Sequence, residues 1–117
     1  MAKDNKITLE THGPVTILNI QGDITALSDP FLKEAYETAN EQGTSKLVLK
    51  FDPDSYINSG GIALLIQLLA QTKSNNQKIS ITGLSDHFKK IFNMVGITKF
   101  AKIYDTAEEA IEGLSGS

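Results

Sequence analysis

The sequence contains no cysteine, no arginine and no tryptophan. Without cysteine there can be no disulfide, no thiolate metal ligand and no thiol nucleophile, a composition that suits a reducing compartment. All 11 basic side chains are lysines, and 14 acidic groups outnumber them, for a net charge of −3. A surface that lacks arginine's planar fork and has no concentrated positive field is a poor reader of phosphate backbones and base edges, which argues against a nucleic-acid partner. Lys89-Lys90 is the only adjacent pair of cations. Long apolar runs are missing too. The longest apolar-rich stretch, Ile62 to Ala70, is interrupted by Gln67 and falls well short of the roughly 20 residues that cross a bilayer. Met1-Ala2-Lys3-Asp4-Asn5-Lys6 lacks the apolar stretch of a secretory leader. The expectation is a cytoplasmic, soluble protein with no membrane insertion. His12 and His87 stand far apart among scattered carboxylates, so no metal site and no cofactor is expected, and both are read as solvent-facing.

What is present is ordinary globular material. At 117 residues, with 40% hydrophobic and 21% charged residues, the chain can bury a core and has the length of one domain, expected to span 1–117 with an ordered core over about 6–114. Ile7, Leu9 and Thr11 alternate with polar neighbours, His12-Gly13-Pro14 supplies a turn, and Val15 to Ile20 is rich in β-branched residues, which together predict a hairpin. Asp29 is placed to cap a helix beginning at Pro30, with Leu32, Ala35, Tyr36 and Ala39 on its apolar face and Gly43 past its end. Leu47 to Phe51 is almost continuously apolar and reads as a central strand covered on both faces. From Gly60 to Thr72 the stripe of Ile62, Leu65, Ile66 and Leu69, widened by Leu64 and Leu68, predicts a largely buried helix closed by Asn75-Asn76.

Ile79 to Thr82 predicts a strand, followed by a helix with Phe88, Ile91, Phe92 and Val95 inward and Gly96 as its stop. Ala101 to Tyr104 predicts the last strand. Thr106 and Glu109 have capping-box spacing ahead of a final helix with Ala107, Ala110, Ile111 and Leu114 inward and Glu108, Glu109 and Glu112 outward. Ser115-Gly116-Ser117 reads as a disordered tail. The order is strand, strand, helix, then three strand–helix units. That alternation predicts an α/β fold: a mixed, mostly parallel sheet of about five strands with four helices, in which only the first strand runs antiparallel.

Tyr56-Ile57-Asn58-Ser59-Gly60-Gly61-Ile62 joins a parallel strand to a helix, the position where α/β proteins place their sites. Unpartnered N–H groups and the helix dipole favour a phosphate there, and Gly60 and Gly61 keep side chains out of the way. The same residues are also compatible with Ser59 simply capping its helix. The string lacks the lysine and spacing of a nucleotide-binding phosphate loop. A second loop, Gly22-Asp23-Ile24-Thr25, follows the preceding parallel strand, so Asp23, Thr25, Asn58 and Ser59 are expected at one edge, unless Asp23 and Thr25 serve only turn and cap chemistry. A serine hydrolase would need a base beside Ser59, and neither His12 nor His87 follows the strand that delivers it. The chain is read as non-enzymatic.

Ile20-Gln21-Gly22-Asp23-Ile24-Thr25, Leu47 to Phe51 leading into Ile57-Asn58-Ser59-Gly60-Gly61-Ile62, Phe88 to Ile97, and Ile103 to Ala110 together resemble, in order and spacing, the STAS domain of sulfate transporters and anti-sigma factor antagonists. The resemblance covers nearly the whole chain. It implies a protein-interaction signalling module whose partner is a serine kinase that is also the anti-sigma factor. In the bacterial anti-sigma factor antagonists of that family the loop before the second helix usually reads Asp-Ser-Ser-Gly and is phosphorylated on its first serine, the unphosphorylated form binds the partner, and a phosphatase resets the cycle. Ser59 matches the phosphorylated position. Asn58 stands where that loop has its aspartate, Thr25 stands where the family's Gly-Glu-Leu-Asp pattern has its own, and Gly60 replaces the second serine. The alternative implied by the family is a phosphorylation-independent subunit that docks on a transporter ATPase or joins a multi-STAS assembly.

Overall fold

A computed structural model describes residues 5–115. It contains a five-stranded sheet in the order β1-β2-β3-β4-β5. The strands are β1 Lys6–His12, β2 Val15–Gln21, β3 Lys46–Phe51, β4 Lys78–Thr82 and β5 Lys102–Tyr104, and the helices are α1 Asp29–Glu41, α2 Ser59–Ser74, α3 Asp86–Met94 and α4 Ala107–Ser115. β1 pairs antiparallel with β2 through the Gly13-Pro14 turn, and every other pairing is parallel. Each parallel pair is joined by a helix because parallel strands need a crossover. The mixed sheet and four helices expected from the alternation are present, with β3 in the centre.

Strand periodicity divides the core into two layers. Leu18, Ile20, Leu47, Leu49, Phe51, Ile79 and Ile81 point to one face, where α1, α2 and α3 cover them with Leu32, Tyr36, Leu65, Leu69, Phe88 and Phe92. Val15, Ile17 and Val48, one residue out of phase, point to the other face beneath Ala110 and Leu114 of α4. A strand covered on both sides has no polar face to present. That is why Leu47, Val48 and Leu49 of β3 are apolar and buried at consecutive positions.

Several local expectations change. Asp29 does not cap α1. It is the first helical residue, preceded by a 3₁₀ turn, Ala26–Ser28, whose N-cap is Thr25: its side chain accepts from the Leu27 N–H, and the Ser28 side chain reaches back to the Thr25 N–H. Val95 is not inward. It is the C-cap of α3 and 45% exposed, because Gly96 at φ +85° ends the helix before Val95 can extend its apolar face. Thr11 is exposed although Ile7 and Leu9 are half-buried, since it lies beyond the part of β1 that α1 shelters. On α2 the inward line is Gly61, Leu65, Leu68, Leu69 and Thr72, with Ile62, Leu64 and Ile66 half-buried at its flanks.

The Thr106–Glu109 capping box is present: the Glu109 N–H donates to Thr106 Oγ1 at 3.2 Å, and the Thr106 N–H donates to Glu109 Oε1 at 3.2 Å. Glu108, Glu109 and Glu112 face outward. Ser115 is the last residue of α4, while Met1 to Asp4 and the tail residues Gly116 and Ser117 lie outside the described residues. Among the described residues no helix is long and apolar enough to cross a membrane.

Candidate functional site

The loops after β2 and β3 are stitched together at the carboxyl edge of the sheet. Ile24 and Ile57 form an isolated parallel bridge, with the Ile24 N–H donating to the Tyr56 carbonyl at 2.9 Å and the Asn58 N–H donating to the Ile24 carbonyl at 3.1 Å. Both isoleucines are buried. Asp23 adds a third link, its Oδ1 accepting from the Tyr56 N–H at 2.9 Å. The Asp52–Asp54 turn closes on itself as Asp52 Oδ1 accepts from the Asp54 N–H at 3.0 Å. Asp23, Thr25 and Asn58, from the two joined loops, and Ser59, Gly60 and Gly61, from the first turn of α2, thus lie at one edge.

Within this frame the roles at the start of α2 are divided. Asn58, not Ser59, is the N-cap: its backbone is extended at φ −90°, ψ −179° and its Oδ1 accepts from the Gly61 N–H at 2.9 Å. Ser59 is the first helical residue, and it is exposed. Among the described residues its hydroxyl has no hydrogen-bond partner. The capping role left open for Ser59 is corrected accordingly. Two backbone donors, the N–H groups of Ser59 and Gly60, begin the helix without intrahelical acceptors. A group attached to the Ser59 oxygen therefore lies at the positive end of a 16-residue helix.

The glycines let the helix approach the neighbouring loop. A Cβ on Gly61 would lie 2.2 Å from the Ile24 carbonyl oxygen and 2.7 Å from its carbon. At Gly60 the closest approach would be 3.1 Å, to the Ala26 nitrogen. Gly61 is thus required by packing, whereas Gly60 is merely in a tight place.

The departures from the family pattern acquire a structural meaning. Asparagine and aspartate are comparable N-caps, so the Asn58 carboxamide holds the loop without adding a negative charge beside Ser59. Thr25 likewise anchors its turn through a neutral oxygen. Tyr56 and Leu27, which sequence reasoning did not select, are 59% and 67% exposed, on the two loops that flank Ser59. Tyr56 rests edge-on against Phe88 with centroids 5.8 Å apart. The available signal was an aromatic residue inside a polar loop.

His12 and His87 are exposed. His12 contacts Glu10 on its own strand, His87 lies against Phe88 with centroids 5.0 Å apart, and among the described residues neither hydrogen-bonds to Ser59.

The fold and this edge define a small α/β module with an open serine at a helix N-terminus. The model of the STAS domain matches residues 6–110, and the chain belongs to that family. A curated relative, the anti-sigma-B factor antagonist of Staphylococcus aureus strain NCTC 8325, is 22% identical over 91 residues, covering 78% of this chain and 84% of its own. The crystal structure of an anti-sigma factor antagonist from Mycobacterium paratuberculosis is similar with a TM-score of 0.77 at 17% identity, covering 97% of both chains. The Bacillus cell fate determinant SpoIIAA in its phosphorylated form is similar with a TM-score of 0.65 at 17% identity, covering 93% of this chain and 99% of that one.

Proposed function

We propose that this chain is a single, non-enzymatic STAS module that works in the cytoplasm as an anti-sigma factor antagonist and so regulates transcription, with partner affinity set by phosphorylation of Ser59. The partner is a serine kinase that is also the anti-sigma factor, and a phosphatase restores the unmodified form. The observation that carries this reading is the division of labour at the start of α2. Asn58 holds the helix end, which leaves the exposed Ser59 hydroxyl free of structural duty. A phosphate there adds roughly −1.5 to −2 charges beside open N–H groups, so the fold accepts it. A partner surface that fits a neutral hydroxyl does not. Leu27 and Tyr56, exposed on the same pair of loops, give the partner apolar anchors. A relative solved in a phosphorylated form is consistent with this reading.

The direct test is the intact mass of the protein isolated from its own cells, before and after phosphatase treatment. A phosphate-sized loss, mapped by peptide sequencing to Ser59, is the expected result. If no modification is found under conditions that change sigma-factor activity, the reading becomes a phosphorylation-independent subunit docking on a transporter ATPase or a multi-STAS assembly. The exposed Leu27 and Tyr56 serve that reading equally well.

A further inference from the structure

We propose that β1 is a self-pairing edge through which two copies of this chain join antiparallel, centred on Thr8. β1 ends the sheet, and among the described residues nothing pairs with its outer side. It is seven residues long, enough to template another strand. The turn at Gly13-Pro14 joins His12 directly to Val15, and a two-residue hairpin loop closes on a hydrogen-bonded pair. Hydrogen-bonded and non-bonded pairs alternate from there. Lys6, Thr8, Glu10 and His12 therefore direct their backbone groups at β2, while Ile7, Leu9 and Thr11 direct theirs outward.

Only registers that bring outward groups opposite each other can form a second ladder. Centring on Leu9 sets Lys6 against His12 and Thr8 against Glu10. Centring on Lys6 or on Glu10 sets like charges face to face. Centring on Thr8 instead places Lys6 of each copy opposite Glu10 of the other, and Ile7 opposite Leu9. The Ile7–Leu9 pairs would exchange hydrogen bonds and extend the half-buried apolar face beneath α1. The Lys6–Glu10 pairs would fall at non-hydrogen-bonded positions, where opposing side chains lie closest.

Lys6 and Glu10 are exposed and point to the sheet face that β1 leaves open. The His12 ring beside Glu10 holds its carboxyl below the usual range, so it is charged at neutral pH. A two-fold axis perpendicular to the sheet turns the two β3 strands in opposite directions, which leaves both Ser59 loops accessible.

The test is sedimentation velocity of the full chain over a wide concentration range, with circular dichroism to verify folding. Wild type is expected to dimerise. Lys6→Glu and Glu10→Lys should each weaken self-association by at least about tenfold, as two attractive pairs become repulsive. The double exchange, Lys6→Glu with Glu10→Lys, should restore it. An equimolar mixture of the two single variants should form a heterodimer more readily than either associates alone. A wild type that stays monomeric throughout, leaving the edge to a strand of another protein or to none, overturns the proposal. So does self-association that the charge variants leave unchanged.

Discussion

The Asn58 carboxamide and the Ser59 hydroxyl sit one residue apart at the start of α2, and among the described residues only the first has a hydrogen-bond partner. Asn58→Ala should cost about 1 kcal/mol of stability, the usual loss for an N-cap. Ser59→Ala should stay within about 0.5 kcal/mol of wild type, as expected for an exposed position whose hydroxyl has no partner among the described residues. Urea unfolding of both variants checks this contrast, and a larger loss at Ser59 than at Asn58 would reverse the assignment of the cap. Gly61→Ala should lose about 1–3 kcal/mol, the range for overpacking, since its methyl would meet the Ile24 carbonyl. At this scale the sequence was only half legible. Asparagine and serine are both good caps, so Asn-Ser-Gly-Gly leaves open which one acts. The choice depends on which residue has an extended backbone. Thr25 and Asp29 repeat the difficulty, because a short 3₁₀ turn ahead of α1 moves the cap four residues upstream and has too few residues to show a period.

Among the elements, strands and helices were legible because their apolar spacing matches the burial it produces. Their ends were less so. Val95 continues the apolar period of α3, yet the positive φ of Gly96 stops the helix and leaves the side chain in solvent. Lys89 is likewise more than a solvated charge: its ammonium lies 2.6 Å from Asp105 and 3.7 Å from Asp86, tying α3 to the turn before α4. Its hydrogen bond to Asp105 raises its pKa. A raised folded value means that the pair's contribution is full below the ordinary lysine pKa and is lost as pH rises through the folded one. Lys89→Met should therefore melt slightly below wild type at neutral pH, and the gap should close in the alkaline range above the ordinary lysine value. Lys90, exposed and with no ion pair among the described residues, should be neutral to the same substitution. On α4, Glu109→Ala removes one half of a capping box and should cost a few tenths to about 1 kcal/mol, against almost nothing for Glu112→Ala.

At the scale of the molecule, the parallel order of β2 to β5 brings the loops after β2 and β3 to one edge. The strand–helix alternation was enough to anticipate that convergence. It could not reveal the Ile24–Ile57 bridge or the exposed Leu27 and Tyr56, because contacts between loops distant in sequence leave no periodic trace. The central claim is that this edge holds a partner and that the charge on Ser59 controls the hold. The most direct measurement captures partners from native lysate with wild type, Ser59→Ala and Ser59→Asp, then determines the affinity of each for the captured protein by calorimetry. With all three folded, Ser59→Ala should bind as tightly as the unmodified wild type, and Ser59→Asp should bind at least about tenfold more weakly, the effect of an uncompensated charge at a desolvated interface. Equal affinity for all three would contradict the account.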